Sequence, residues 1–132
     1  MIQKDYYLRM IEEFGRALAN FMERRHDAAR RDREMADLYR QYVGDYTLVR
    51  NLSLEETMVY AHDQWADDER IGRLGMLAEL YAEATYCAVP ISTLLYDKAY
   101  RLYDYVETHG DTYSIDRHNK MEAIRRILKD KG

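Results

Sequence analysis

The chain is 132 residues long, with a formal charge of −4, 47% hydrophobic and 33% charged residues, and one cysteine. That is one domain by length, with enough apolar residue to bury a core and too much to remain disordered. The lone Cys87 excludes an internal disulfide and a multi-thiolate zinc site, the acidic balance argues against a nucleic-acid surface covering the whole domain, and no apolar run approaches the ~20 residues that span a bilayer.

Near the N-terminus Lys4, Asp5, Glu12 and Glu13 break up any apolar leader core, so a cytoplasmic location is expected. Over 5–22, Tyr7, Ile11, Phe14, Leu18 and Phe21 recur at alternating steps of four and three, the period of an amphipathic helix. Asp5 suits the first turn, where its charge meets the helix dipole. Gly15 interrupts the run at a cost of about 1 kcal/mol against Ala, which suggests a close approach by a neighbouring helix. The segment 23–34 has only Ala28 and Ala29 as apolar groups; Met35, Leu38, Tyr39 and Tyr42 then resume the stripe, and Gly44 stops it. Helical spacing persists through the charged segment, which leaves two readings. Either one helix of about 40 residues covers 3–43, or the chain turns near His26 with Asp27 as the N-cap of a second helix.

Residues 45–51 read as a connector with one helical turn at 47–50. Ser53-Leu-Glu-Glu56 has the form of a capping box and opens a helix carrying Leu54, Met58, Ala61 and Trp65 on one face. Asp67 or Asp68 is expected to cap the next helix, where Ile71, Leu74, Leu77 or Ala78, Tyr81 and Thr85 form the stripe and Gly72 and Gly75 are spaced for helix packing. Pro90 fits the first turn of the following helix. There Leu95, Ala99, Leu102 and Val106 make one stripe, and Tyr96, Tyr100 and Tyr103 make a second beside it. A last helix opens over 112–117, with Ile115, Met121, Ile124 and Leu128 as its apolar face and Lys129 and Lys131 near its C-terminal dipole. No stretch alternates with period two for long enough to be a strand. The expected fold is a single all-α domain over 1–132: an N-terminal helical segment, 1–44, followed by stacked antiparallel helical hairpins over 45–132.

Three stretches, KDYYLRMIEEFGRALA (4–19), LVRNLSLEE (48–56) and TYSIDRHNKMEAIRRI (112–127), occur in order, and together they resemble an uncharacterised, domain-of-unknown-function family of small bacterial helical proteins. The resemblance implies a helical fold with a tetratricopeptide-like C-terminal half, and it brings no catalytic residue to carry over. The tetratricopeptide likeness rests on helix stacking alone. Ala99, Tyr103 and Val106 have the spacing of a repeat's second helix and Leu74-Gly75 resembles the pair in its first, yet the two are out of register with one repeat.

Each candidate chemistry competes with a plainer role. A di-iron site needs two Glu-x-x-His units, and Glu23-Arg-Arg-His26 is the single one here, so it reads as a solvated helix face. Cys87 lies among Tyr86, Ala88 and Val89 with no His nearby in sequence, as a small buried hydrophobe would. No phosphate-cradling glycine loop or serine-nucleophile motif appears. No catalytic residue, metal or cofactor is therefore expected. Arg24, Arg25, Arg30, Arg31 and Arg33 could contact phosphate bidentately. Interleaved Glu23, Asp27, Asp32 and Glu34, with pairs such as Asp27–Arg31 and Arg30–Glu34, instead favour a solvated face laced with weak ion pairs. The thirteen tyrosines are the unusual feature. A Tyr combines a large ring with a polar tip, so the stripe Tyr96, Tyr100 and Tyr103 can either pack against a neighbouring helix or form a binding groove. The expectation is a non-enzymatic helical interaction module that presents a Tyr-rich surface to a protein partner or to a second copy of itself. Nucleic-acid contact through the 24–33 arginines is the alternative, and no membrane association is expected.

Overall fold

A computed structural model describes residues 2–24, 27–84, 87, 89–110 and 114–131, with side chains described from Leu8 onward except those of Ala28 and Lys131. Among these residues every regular element is an α-helix: α1 (Ile2–Glu23), α2 (Ala28–Tyr42), α3 (Tyr46–Arg50), α4 (Leu54–Gln64), α5 (Asp67–Ala82), α6 (Val89–His109) and α7 (Ile115–Lys131). The chain divides into two compact units, Met1–Asn51 and Leu52–Gly132, so the short α3 goes with the N-terminal helices.

In the N-terminal unit the charged segment holds a break, and 3–43 is two helices. The Asp27 side chain accepts the Arg30 backbone N–H at 2.9 Å and thereby starts α2. Met10, Phe14, Leu18 and Phe21 of α1 are buried, as are Met35, Leu38, Tyr39, Tyr42 and Val43 at and after α2. The buried stripe of α1 is rotated by one position at its start: Met10 is buried and Ile11 stands 37% exposed. The side chain of Tyr7 lies outside the described residues. Gly15 makes no close approach within the unit, since a Cβ added there would meet nothing within 4 Å. Rings link the pieces edge to face, Phe14 on Tyr42 at 5.0 Å and Tyr39 on Tyr46 at 4.8 Å, and the Arg50 guanidinium lies 4.4 Å over Tyr46. Asp45 caps α3 by accepting from the Leu48 N–H at 2.9 Å. Between α2 and α3 the backbone reaches φ 141° at Gly44, a region that a side chain would strain, so the stop expected of this glycine is present.

In the C-terminal unit consecutive helices joined by short connections pack side by side, α4 on α5, α5 on α6 and α6 on α7. The Ser53–Glu56 capping box is complete, with reciprocal bonds of 3.0 and 2.8 Å. Helix α5 begins on Ala66, which offers no side-chain cap. Asp67 and Asp68 sit inside the first turn, where their charge suits the dipole. Leu74, Leu77, Ala78 and Tyr81 of α5 are buried together with Leu95, Ala99, Leu102 and Val106 of α6. Pro90 lies in the first turn of α6. Gly75 has no atom within 4 Å of an added Cβ, so helix packing does not require it. At Gly110 an added Cβ would lie 2.6 Å from the Val106 carbonyl oxygen, and α6 ends there. On α7 the inner face runs Arg117, Met121, Ile124 and Leu128. Ile115, the first residue of the helix, is one of the most exposed apolar side chains.

Candidate interaction surface

The three stripe tyrosines do not share one environment. Tyr96 is buried, and burial first, then the nearby Glu83 and Cys87 charges, push its phenol above the usual value. Tyr103 is 1% exposed, and its hydroxyl lies inside the unit against the Glu79 carboxylate. Burial and then the Glu79 carboxylate hold it strongly protonated. Both are core residues of the α5–α6–α7 packing. Tyr100 alone reaches the surface. It is half-buried and its hydroxyl accepts from the Arg125 guanidinium of α7 at 3.3 Å.

Tyr100 also lines a groove of about 680 Å³ between α4 and α6. Leu54, Glu55 and Met58 come from α4; Asp97, Arg101, Asp104, Tyr105, Thr108 and His109 come from α6. The Tyr105 ring stacks on the His109 imidazole with centroids 4.0 Å apart, so one wall is a flat aromatic surface. Lys98 of α6 donates to the Leu52 carbonyl at 2.8 Å just before α4, which fastens one wall to the other. The far end of α4 is held by Arg70 of α5. Its guanidinium donates to the carbonyls of Ala61 at 3.2 Å and Trp65 at 2.9 Å, and it pairs with Asp67 at 2.6 Å. A cation on the C-terminal carbonyls suits the dipole there and gives the Trp65 carbonyl a donor, while the Ala61 carbonyl also accepts the Trp65 N–H at 3.1 Å.

The groove's charges are only partly matched. Arg101 pairs with Asp97 at 2.9 Å. Glu55 and Asp104 have no ion-pair partner among the described residues. The site is therefore an apolar and aromatic floor between carboxylates, three against one guanidinium. Sequence spacing had singled out Tyr100 but not its neighbours. The signal was present in the outer face of α6, where Asp97, Arg101, Asp104, Thr108 follow one another at helical steps.

The arginine segment is matched internally in part. Arg30 bonds Glu34 at 3.4 Å, as the spacing anticipated, and Arg24 reaches the same carboxylate at 3.8 Å. Arg31 also has interaction partners, Arg33 is exposed, and Arg25 lies outside the described residues. Of the Glu23-x-x-His26 pair, His26 lies outside the described residues. No three His, Cys, Asp or Glu side chains among the described residues gather in a way that could hold a metal. Cys87 is half-buried. No helix among the described residues is long and apolar enough to cross a membrane.

Compared with known proteins, the chain matches no family model, no curated protein and no solved structure.

Proposed function

We propose that this is a non-enzymatic helical protein-interaction module, tetratricopeptide-like in the stacking of its C-terminal hairpins, and that the α4–α6 groove receives the partner. The observation that carries this reading is the combination of Leu54, Met58, Tyr100 and Tyr105 on the floor with the unmatched carboxylates of Glu55 and Asp104 beside them. Aromatic rings give a surface much contact area for little lost side-chain freedom, and they are enriched where proteins meet. The unmatched carboxylates select the partner's chemistry: an amphipathic segment with apolar side chains at helical spacing and Lys or Arg beside them. Lys98 and Arg70 keep the walls in place before binding, which lowers the ordering cost of association.

The test is a titration of the isotopically labelled protein with a basic amphipathic helical peptide and with its acidic counterpart, followed by NMR. The reading predicts shifts grouped on α4 and the outer face of α6 with the basic peptide alone, weakened by salt and abolished by Glu55→Lys with Asp104→Lys. Equal response to both peptides, or shifts scattered over other helices, contradicts it.

A further inference from the structure

Helix α1 is apolar over a wider arc than its own unit covers. Beside the buried Met10, Phe14, Leu18 and Phe21 runs a second line of Leu8, Ile11, Gly15, Ala19 and Met22, all exposed. Its steps of three, four, four and three residues keep it on one face. Gly15 sits at its centre, where nothing within the unit needs a missing Cβ. A helix carries a glycine there at a cost in stability, and no contact inside the unit repays it.

The line is self-complementary when read in the opposite direction. Residue numbers symmetric about 15 pair Leu8 with Met22, Ile11 with Ala19 and Gly15 with itself, so next to the bare centre a large side chain, Ile11, meets a small one, Ala19, and two large ones meet at each end. The polar flank of the helix matches in the same arrangement. Arg9, Glu12, Arg16 and Glu23 are exposed and have no ion-pair partner among the described residues. An antiparallel copy brings Glu12 towards Arg16 of the other copy and Arg9 towards Glu23, each twice, and these four meetings of opposite charge outweigh the one meeting of the two Arg16 side chains near the axis. A two-fold interface must be self-complementary in this way.

We infer that α1 is the seam of an antiparallel homodimer centred on Gly15, with a second copy of this chain as the occupant of the exposed stripe. The inference concerns the N-terminal unit and stands independently of the groove. The stripe offers a few hundred Å² per copy, less than the roughly 800 Å² per partner of a standard interface. Pairing is therefore weak and concentration-dependent.

Sedimentation equilibrium on the full chain, from about 10 μM to several hundred μM, should show the mean mass rising from one chain towards two. Gly15→Gln should weaken pairing at least tenfold (about 1.4 kcal/mol by the affinity arithmetic) with the circular-dichroism spectrum unchanged. A monomer throughout the range, or a Gly15→Gln variant that pairs as tightly as the native chain, overturns the inference. Direction is tested separately in a Cys87→Ser background. Ile11→Cys and Ala19→Cys chains should form a disulfide when mixed and oxidised. Ile11→Cys alone should not, because antiparallel copies set those two residues about 12 Å apart along the axis, beyond disulfide reach. Efficient crosslinking of Ile11→Cys with itself would show a parallel pair and overturn the arrangement.

Discussion

Tyr103 shows why tyrosine spacing is ambiguous in sequence. A ring at the helical period fits a core and a binding face equally well, and the polar tip does not decide between them. Inside the unit its hydroxyl has lost water and faces the Glu79 carboxylate. Tyr103→Phe should therefore lower unfolding free energy by about 1–3 kcal/mol, as read by urea denaturation. No loss, or a gain, would mean that the hydroxyl makes no bond to Glu79. Glu83 gives a second test. Burial holds its carboxyl above the usual range, Lys120 works against this, and the Glu79 carboxylate adds to it. The folded state thus binds the proton more tightly than the unfolded chain does. The group's contribution to stability is present in acid and is lost as pH rises through its folded titration. Glu83→Gln should accordingly melt at a higher temperature than the native protein near pH 7, with the gain fading below the ordinary carboxylate range. A constant difference at all pH values would rule out ionisation as the cause. The same scale explains Tyr100, whose environment depends on Arg125, 25 residues along the chain, a neighbour no local pattern reveals.

At the scale of helices, patterns that act within one element were readable and those that need a neighbour were not. The Ser53–Glu56 capping box, the Asp27 cap and the Leu95, Ala99, Leu102, Val106 stripe are local or strictly periodic, and each is present in the structure. The Asp27 cap settles the conformation of 3–43, because spacing alone cannot distinguish a continuous helix from two helices in phase. Ile11 and Ile115 misled for a common reason: a period fixes the width of an apolar face but not how much of it a neighbour covers. On α7 the inner position belongs to Arg117, paired with Glu107 at 2.6 Å, since the aliphatic stem packs inward while the head finds a carboxylate. Gly15 and Gly75 were expected to mark close helix approaches, and neither has a neighbour within 4 Å. Arg70 was missed because its work is done on α4 from α5. Removing it leaves the Ala61 and Trp65 carbonyls without its guanidinium, so Arg70→Ala should cost about 1–3 kcal/mol in thermal or urea unfolding. Arg70→Lys should recover only part, because an ammonium cannot reach several carbonyls as a planar fork does. Full recovery by Lys would reduce the interaction to charge on a dipole.

For the whole molecule, composition and periodicity led to an all-α chain, and the structure has that class. The division after Asn51 was not legible, because the connector 45–51 holds no proline and the short α3 bridges what would otherwise read as a loop. Nor was the groove, which is lined by both α4 and α6 although the 24 residues 65–88 separate them in sequence. The proposed role of this groove is to hold a protein partner in the cell. A photoreactive side chain placed at Thr108, on the groove wall, tests it against one placed at the exposed Glu122 of α7. A groove that receives a partner should give a discrete adduct from position 108 that disappears with Glu55→Lys and Asp104→Lys and is absent from position 122. An adduct from 122 alone, or one from 108 that survives both charge reversals, would contradict it.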